Sequence, residues 1–537
     1  MGSRGLCARV LIVLIVLLVP LIVPVVATNA ASASDNGASA TSAADANSAA
    51  GAISASDANS AGANVAAGAN SAAGVPAAAS SGDAAAADLP FTFNQIPYTV
   101  VDLPPLLQPL SASTVSRVDT GVHDAQGVRM RRIDGVLYDY PGAAASYGLG
   151  NMNTYRDTGD TFYLQRAETQ AQRLIDIHVQ AAAGAVDAWY YPNLYARDRH
   201  GEPHEIIEPP WCSAMAQGLA LALFSKLAEA TGDQAWRDAA DHTLASFLRP
   251  GPCVGPYTVN VDPAGYYWLQ EWPWAHMAPD NTLNGHCFSA FGLYEYYHLT
   301  GDPTALALFR GAATTVEHYF PAFRNPGWIS HYCLNHLANN SKYHEIHVQL
   351  MLQLYTITQD AIFARFADLL EGDYPKPAVS GSVRVGAGTY TAYRFAGKGV
   401  ITGHKTFTVK KSRSVATALR QRIRGRAIFF KAASGNLAGY WLKEVPGRVY
   451  LRGIVVSLIY TPARVVQLAA GGTYTALSVA ADGRVRARAD VPAGTAVLVD
   501  RGAVVNGYHS VRLSDDALDG GALNGYWLKL GKGVTLQ

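Results

Sequence analysis

The sequence predicts a mainly α-helical fold, an incomplete (α/α) toroid of helical hairpins, followed by two small tandem β-barrel-like repeats. Three observations carry this prediction. A Thr-Gly-Asp signature recurs at Thr158-Gly159-Asp160, Thr231-Gly232-Asp233 and Thr300-Gly301-Asp302, with Thr358-Gln359-Asp360 as a weaker fourth. Apolar residues on either side keep helical spacing, as in Met215, Leu219, Leu223 and Leu227 before one signature and Trp236, Ala240, Leu244 and Phe247 after it. Beyond Pro377 the pattern turns to short alternating runs that repeat. Gly388-Thr389-Tyr390-Thr391-Ala392 returns as Gly472-Thr473-Tyr474-Thr475-Ala476, and Gly439-Tyr440-Trp441-Leu442-Lys443 as Gly525-Tyr526-Trp527-Leu528-Lys529.

Taken along the chain, residues 1–27 have the order of a secretory signal peptide or signal anchor. Arg4 and Arg9 precede an apolar run from Val10 to Ala27, broken by Pro20 and Pro24 and followed by small residues. Either reading expects the remainder to be secreted or held at the cell surface. Residues 28–88 are nearly all Ala, Ser, Gly, Asn and Asp. Such a stretch cannot bury enough apolar surface to offset its chain entropy, and it reads as a disordered tether. Residues 89–135 are expected to form an N-terminal extension packed on the toroid.

The toroid itself is assigned to residues 136–372. In each signature the glycine suits the left-handed position that ends one helix, and the aspartate suits the N-cap of the next. Pro303 occupies the favoured first helical position after Asp302. Hairpins recurring every 58 to 73 residues indicate a repeat fold. The leading helices are rich in small residues, among them Ala145, Gly148, Ala214, Gly218 and Gly285, and so can crowd round a common axis.

From residue 378 to the end there are 23 Lys+Arg against 7 Asp+Glu, a balance of +16, which leaves 19 against 34, or −15, for residues 1–377. The repeat offsets of 84 and 86 indicate a duplication with copies at about 381–453 and 465–537. This basic end is expected to seek an anionic partner, and for an exported chain an acidic cell-wall polymer is a better expectation than nucleic acid. Its Tyr-Trp pairs read equally well as filling for two barrel cores. Cys212, Cys253, Cys287 and Cys333 permit two disulfides outside the cell, although buried thiols are the alternative.

A helical toroid starts all its leading helices at one end, so the preceding loops gather at one rim. Those loops contain Trp189-Tyr190-Tyr191, Glu205 to Trp211, Tyr266 to Asn284 and Gly327 to His344. They hold most of the Trp of the region, with Tyr, His and acidic residues beside them, the composition of a carbohydrate cleft. His344-Glu345-Ile346-His347 lacks the four-residue histidine spacing of a zincin, so neither a metal nor a cofactor is called for. No phosphate-binding glycine loop, dinucleotide fingerprint or Gly-x-Ser-x-Gly elbow is present.

What remains is more specific. Pro210-Trp211-Cys212-Ser213-Ala214-Met215-Ala216-Gln217-Gly218, then Trp268-Leu269-Gln270-Glu271-Trp272-Pro273 leading to Leu283-Asn284-Gly285, then Tyr343-His344-Glu345-Ile346-His347 follow one another in order. Upstream stand Tyr140-Pro141 and Ala145-Ser146-Tyr147-Gly148-Leu149. In order and spacing this set resembles the C-terminal domain of D-glucuronyl C5-epimerases, over about residues 136–370. The resemblance implies inversion at C5 of hexuronate residues, D-glucuronate to L-iduronate, in a uronate-containing polysaccharide, without a metal or cofactor. It implies proton-transfer roles for Glu271 and Tyr343 and a supporting catalytic role for Tyr332. It further implies substrate contacts from Trp211, Gln217, Trp272, Asn284, His336, His344 and Tyr147, and suggests a homodimer. Asn335 stands where the family has arginine and Trp272 where animal members have tyrosine, which weakens the case for sulfated heparan-type chains.

Three other functions compete with this expectation. A polysaccharide lyase begins with the same proton abstraction, and a wall-binding protein would have lost activity altogether. A glycoside hydrolase would need a second carboxylate across the bond from Glu271, with Glu205, Glu208 and Asp280 as the available mates.

Overall fold

The computed structural model describes residues 89–184, 186–198, 205–273, 278–377, 381–514 and 521–537. The expected signal segment 1–27 and tether 28–88 lie outside them. Among the described residues, no helix is long and apolar enough to cross a membrane.

Four hairpins form the helical region. They pair α1 (Pro141–Thr158) with α2 (Thr161–Ile177), α3 (Ala214–Thr231) with α4 (Gln234–Ala245), α5 (Leu283–Thr300) with α6 (Pro303–Phe323), and α7 (Ser341–Thr358) with α8 (Ala361–Asp373). Each turn follows the expected chemistry. Gly159, Gly232 and Gly301 take φ of 71°, 69° and 68°, and the aspartate that follows each caps the next helix by accepting backbone N–H bonds. At the fourth turn Gln359 adopts the left-handed conformation at φ 55°, despite its side chain. The threonine has its own task. Thr158, Thr231, Thr300 and Thr358 each donate to the carbonyl four residues earlier and accept from the aspartate N–H two residues later. Six residues of each turn are thereby tied together.

The leading helices stand side by side in the order α1, α3, α5, α7, and each carries its partner on the outside. They are buried on nearly every face, whereas the outer helices bury only one. Close approach of α3 and α5 depends on glycine. A Cβ at Gly218 would lie 2.4 Å from Ser289 Cα, and one at Gly292 would lie 2.1 Å from the Gly218 carbonyl oxygen. Substantial packing does not pass from α7 back to α1, so the hairpins make an open arc, the incomplete form expected. The segment 89–135 packs on this arc: Val101 N–H bonds the Ile357 carbonyl, Leu103 N–H the Tyr294 hydroxyl, and Val115 N–H the Thr154 hydroxyl. It ends in a short hairpin of β1 (Met130–Ile133) and β2 (Val136–Asp139).

Small two-stranded hairpins decorate the loops before α3 and α5. They are β3 (Val179–Ala181) with β4 (Ala188–Tyr190), β5 (Arg197–Asp198) with β6 (Ile206–Ile207), and β7 (Val259–Val261) with β8 (Tyr267–Leu269).

The basic end forms two seven-stranded sheets. The first contains β9 (Gly381–Val385), β10 (Gly388–Phe395), β11 (Ile401–Val409), β12 (Arg413–Arg422), β13 (Ile428–Ala432), β14 (Trp441–Lys443) and β15 (Val449–Leu451). The second contains β16 (Ile454–Leu468), β17 (Tyr474–Val479), β18 (Val485–Val491), β19 (Ala496–Val505), β20 (Tyr508–Leu513), β21 (Trp527–Lys529) and β22 (Val534–Leu536). Their orders, β11-β10-β14-β13-β12-β9-β15 and β18-β17-β21-β20-β19-β16-β22, are one topology used twice. The duplication is therefore structural as well as sequential.

One expectation needs correction here. Neither sheet closes into a barrel: β11 and β15 are free edges of one sheet, β18 and β22 of the other. Edge strands of three residues, β15 and β22, offer too few ladder bonds to bridge to the far edge. In the second copy residues 464–468 of β16 take the place of β9, and β16 is longer because residues 454–459 precede them and pair, across a bulge between Ile459 and Arg464, with the far half of β19. That extension joins the two regions. Leu458 and Tyr460 belong to the same buried core as the helices, and Asp368 of α8 accepts from the Tyr460 hydroxyl at 2.7 Å and from Arg464 at 2.5 Å. The four cysteines are free thiols, with Cys212, Cys287 and Cys333 buried.

Candidate active site

The loops that precede α3, α5 and α7 are laced together. Ala214 N–H bonds the Gln270 carbonyl, Leu283 N–H the Tyr332 carbonyl, and Leu334 N–H the Asp280 carbonyl. This lacing brings residues sixty positions apart to one rim, where a compact cluster forms around Glu271.

Glu271 is 1% exposed. Its Oε2 accepts from the Tyr332 hydroxyl at 2.8 Å and faces Asn284 Nδ2 at 3.4 Å, while Oε1 has no hydrogen-bond partner. Burial pushes the Glu271 carboxyl above its ordinary value, and bonding from Tyr332 and the positive charge of Arg197 pull it partly back. Gly285 makes room for it: a Cβ there would stand 2.5 Å from Glu271 Cβ and 2.6 Å from Oε2.

Tyr332 is held from the other side by Trp272, whose Nε1 donates to the Tyr332 hydroxyl at 3.2 Å. The Tyr343 ring lies against Tyr332 with centroids 4.5 Å apart. Both phenols are pushed well above the ordinary tyrosine range, by burial first and then by the negative charge of Glu271. Both are thus neutral proton donors beside a carboxylate. Trp211 completes the wall, its ring 5.4 Å from Trp272 and its Nε1 donating to the Tyr195 carbonyl. The structure therefore gathers Glu271, Tyr332, Tyr343, Asn284, Trp211 and Trp272 at one place.

Four other predicted residues have different surroundings. Gln217 is fully engaged inside the arc, accepting from Tyr191 N–H and donating to the Trp189 carbonyl and Ser246 hydroxyl. His344 accepts from Ser330 N–H at Nδ1, and its Nε2 lies 3.0 Å from the Leu370 carbonyl. Nδ1 thus fastens α7 to its preceding loop and Nε2 fastens it to α8, and burial lowers the imidazole to about 4. Tyr147 sits among His123, Arg129 and Arg166. Gln217 and His344 serve packing, because a polar side chain buried this deeply must spend its bonds on the protein, whereas the buried Tyr147 hydroxyl has no hydrogen-bond partner.

His336 stands between two buried carboxylates, with Nδ1 2.8 Å from Asp280 and Nε2 3.0 Å from Glu205. Asp280 foremost, with Glu205 assisting, raises it to about 11. Asp280, Cys333 and His336 do bring one potential ligand atom each within 4.8 Å of one another. The contacts of His336 with Asp280 and Glu205 tie together the loops that precede α3, α5 and α7. Asn335 is exposed next to it, its Nδ2 3.4 Å from His336 Nε2.

Two further residues were given no site role by the sequence reading. Arg197 on β5 is buried, with its guanidinium 4.9 Å over the Trp272 ring, and its charge acts on both Glu271 and Tyr343. Tyr140, at the N-terminus of α1, adds its own field to Tyr343. Arg197 lay in the gap between two aromatic segments of the same loop. Its signal was an isolated cation among aromatics.

Comparison with known proteins agrees with the motifs that this cluster contains. The family described as D-glucuronyl C5-epimerase C-terminus matches residues 186–371. The D-glucuronyl C5-epimerase of Caenorhabditis elegans is 25% identical over 222 residues, covering 36% of this chain and 34% of that protein. The chain thus spans about a third of the relative's length. Two solved structures are more distantly similar. Cellobiose 2-epimerase from Bacillus thermoamylovorans has 13% identity and a TM-score of 0.34, over 47% of this chain and 65% of that one. An unsaturated glucuronyl hydrolase from a Bacillus species has 16% identity and a TM-score of 0.30, over 44% and 61%. Residues 186–371, which supply Glu271, Tyr332, Tyr343 and the tryptophans around them, belong to the D-glucuronyl C5-epimerase C-terminal family.

Proposed function

We propose that the helical region is an epimerase that inverts C5 of hexuronate residues, D-glucuronate to L-iduronate, within a polysaccharide. One observation carries the reading: a buried glutamate keeps one oxygen locked by Tyr332 and Asn284 and the other without a partner. That second oxygen is a base with nothing to do in the resting protein. The C5 proton lies α to a carboxylate and is only weakly acidic, so its removal needs a fixed base and a site that tolerates charge growing on the substrate carboxylate. Glu271 Oε1 takes the proton from one face, and Tyr343, a neutral phenol, returns one to the other. Tyr332 holds Glu271 and donates to it, which favours the ionised form against the effect of burial. Arg197 places a positive charge beside the cluster, suited to an anionic sugar. The rim's Trp211 and Trp272 offer faces against which a sugar ring can pack.

We further propose export of the chain, from its N-terminal apolar run, and attraction of the basic sheets to an acidic polymer. The deciding experiment is incubation of glucuronate polymers with the protein in heavy water, followed by proton NMR. Deuterium appearing at C5 of intact polymer supports the reading. An unsaturated product absorbing in the ultraviolet would replace it with a lyase, and no exchange in any uronate polymer would leave a binding protein.

A further inference from the structure

The two sheets share one topology but not one charge. Residues 381–453 hold 15 Lys+Arg against Glu444 alone, a balance of +14, whereas residues 454–537 hold 8 against 6, a balance of +2. The first copy also contains a cavity of about 320 Å³, lined by Lys405, Phe407, Arg413, Asn436 and Leu437 among others. Within it the Arg413 guanidinium lies 5.8 Å from the Phe407 ring centroid, and Lys405 Nζ is drawn in by the Asn436 carbonyl at 3.1 Å. Two cations and an aromatic ring thus share one concave surface.

The second copy serves as an internal control. Tyr390 pairs with Phe407 and Ala392 with Lys405, while their counterparts Tyr474 and Ala476 pair with Val491 and Ala489. Val385 pairs with Arg413, while its counterpart Leu468 bonds to the Thr495 carbonyl. Asn436 lies four residues before Tyr440, where the second copy has Ala522 before Tyr526. The framework is kept: Leu437 and Leu523 are both core residues, and the Tyr-Trp-Leu-Lys strand recurs. The residues that give the cavity its chemistry are those that differ.

We infer that this cavity of the first sheet is a binding site for a carboxylate-bearing sugar unit, and that it holds a stretch of uronate polymer. Arg413 and Lys405 meet the carboxylate, and Phe407 with Asn436 meets the sugar ring and its hydroxyls. The choice of a uronate rests on the proposed C5-epimerase function. The cavity's taste for an anionic sugar can be tested without it.

The experiment uses the full chain carrying Glu271→Gln, so that binding is read apart from turnover. Affinity for immobilised glucuronate oligosaccharide is measured at about 150 mM salt, where exposed charges act within roughly 8 Å. Lys405→Ala/Arg413→Thr gives the cavity the second copy's residues, and is expected to weaken binding about ten-fold with melting temperature unchanged. Lys410→Ala/Lys411→Ala removes the same charge outside the cavity and should cost no more than about two-fold. Equal losses from the two pairs, no loss from the cavity pair, or tighter binding to poly(glycerol phosphate) or to a neutral glucan than to uronate would overturn the inference. Wild-type C5 exchange with cavity-independent binding would remove this site alone. Uronate binding through the cavity without any C5 exchange would remove the proposed reaction and leave the site standing.

Discussion

Replacing Tyr332 by phenylalanine removes one hydroxyl and keeps the ring that packs on Tyr343. That hydroxyl supplies the shorter of the two bonds to Glu271 Oε2, 2.8 Å against 3.4 Å from Asn284. A hydrogen bond to a buried charged group is worth about 1.5 to 3 kcal/mol. Since about 1.4 kcal/mol is a factor of ten in an equilibrium, the loss should raise the Glu271 carboxyl further and disfavour its ionisation by roughly ten- to hundred-fold. Glu271 acts as a base only when ionised, so C5 exchange rises with pH through its pKa. In Tyr332→Phe the rise should therefore move to higher pH. The assay is the initial rate of C5 proton–deuterium exchange across the pH range, in wild type and variant. If Tyr332 only positions and tunes Glu271, rates above the shifted limb should return to within about ten-fold of wild type. If Tyr332 itself relays the proton, the deficit should be ~10²- to 10⁴-fold at every pH. An unmoved limb with an unchanged rate would refute the role given to this hydrogen bond. Stability should obey the same linkage. Burial already raises the folded-state value of Glu271 above that of the unfolded chain. Its contribution is therefore fully present below the unfolded value and is lost as pH rises through the folded value. Losing the Tyr332 bond deepens that loss, so the variant should melt lower at neutral pH and like wild type in acid.

The remaining predictions concern the same cluster and its support. Glu271→Gln and Tyr343→Phe should each lower C5 exchange by ~10²- to 10⁴-fold while changing melting temperature little, because shape is retained; joint loss of stability and activity would mark both as structural residues. Gly285→Ala should drive Cβ into the Glu271 carboxylate and cost about 1 to 3 kcal/mol of stability together with most of the activity, read by calorimetry and by exchange. A wild-type melting temperature in that variant would contradict the packing described. Removing residues 381–537 should destabilise the helical region by uncovering the surface beneath Leu458 and Tyr460, and Leu458→Ala alone should cost about 2 to 5 kcal/mol. A truncated protein melting like the full chain would show that the two regions are independent.

Much of this protein was legible in its sequence because the governing forces are local or periodic. The Thr-Gly-Asp turns depend on bonds spanning a few residues, so their glycines and aspartates announced the hairpins, and Met215 to Leu227 displayed helical spacing without reference to a partner. The small residues of the leading helices foretold crowding, and Gly218 with Gly292 is where the crowding occurs. The rim logic and the family motifs together placed Glu271, Tyr332, Tyr343, Asn284, Trp211 and Trp272 in one cluster. What the sequence could not decide is how a polar side chain spends its bonds once buried. Gln217 and His344 sit within the same motifs as the cluster, yet each is consumed by backbone and side-chain partners on other elements. Arg197, an isolated cation among aromatics, announces no partner in the sequence, and only the fold brings its guanidinium 4.9 Å over the Trp272 ring. The open edges of the sheets and the docking of β16 on α8 were equally hidden, since alternation along a strand reports which face is apolar but not which neighbour covers it. Tertiary structure alone settles those questions, because burial turns each polar group's choice of partner into a competition among residues far apart in the chain.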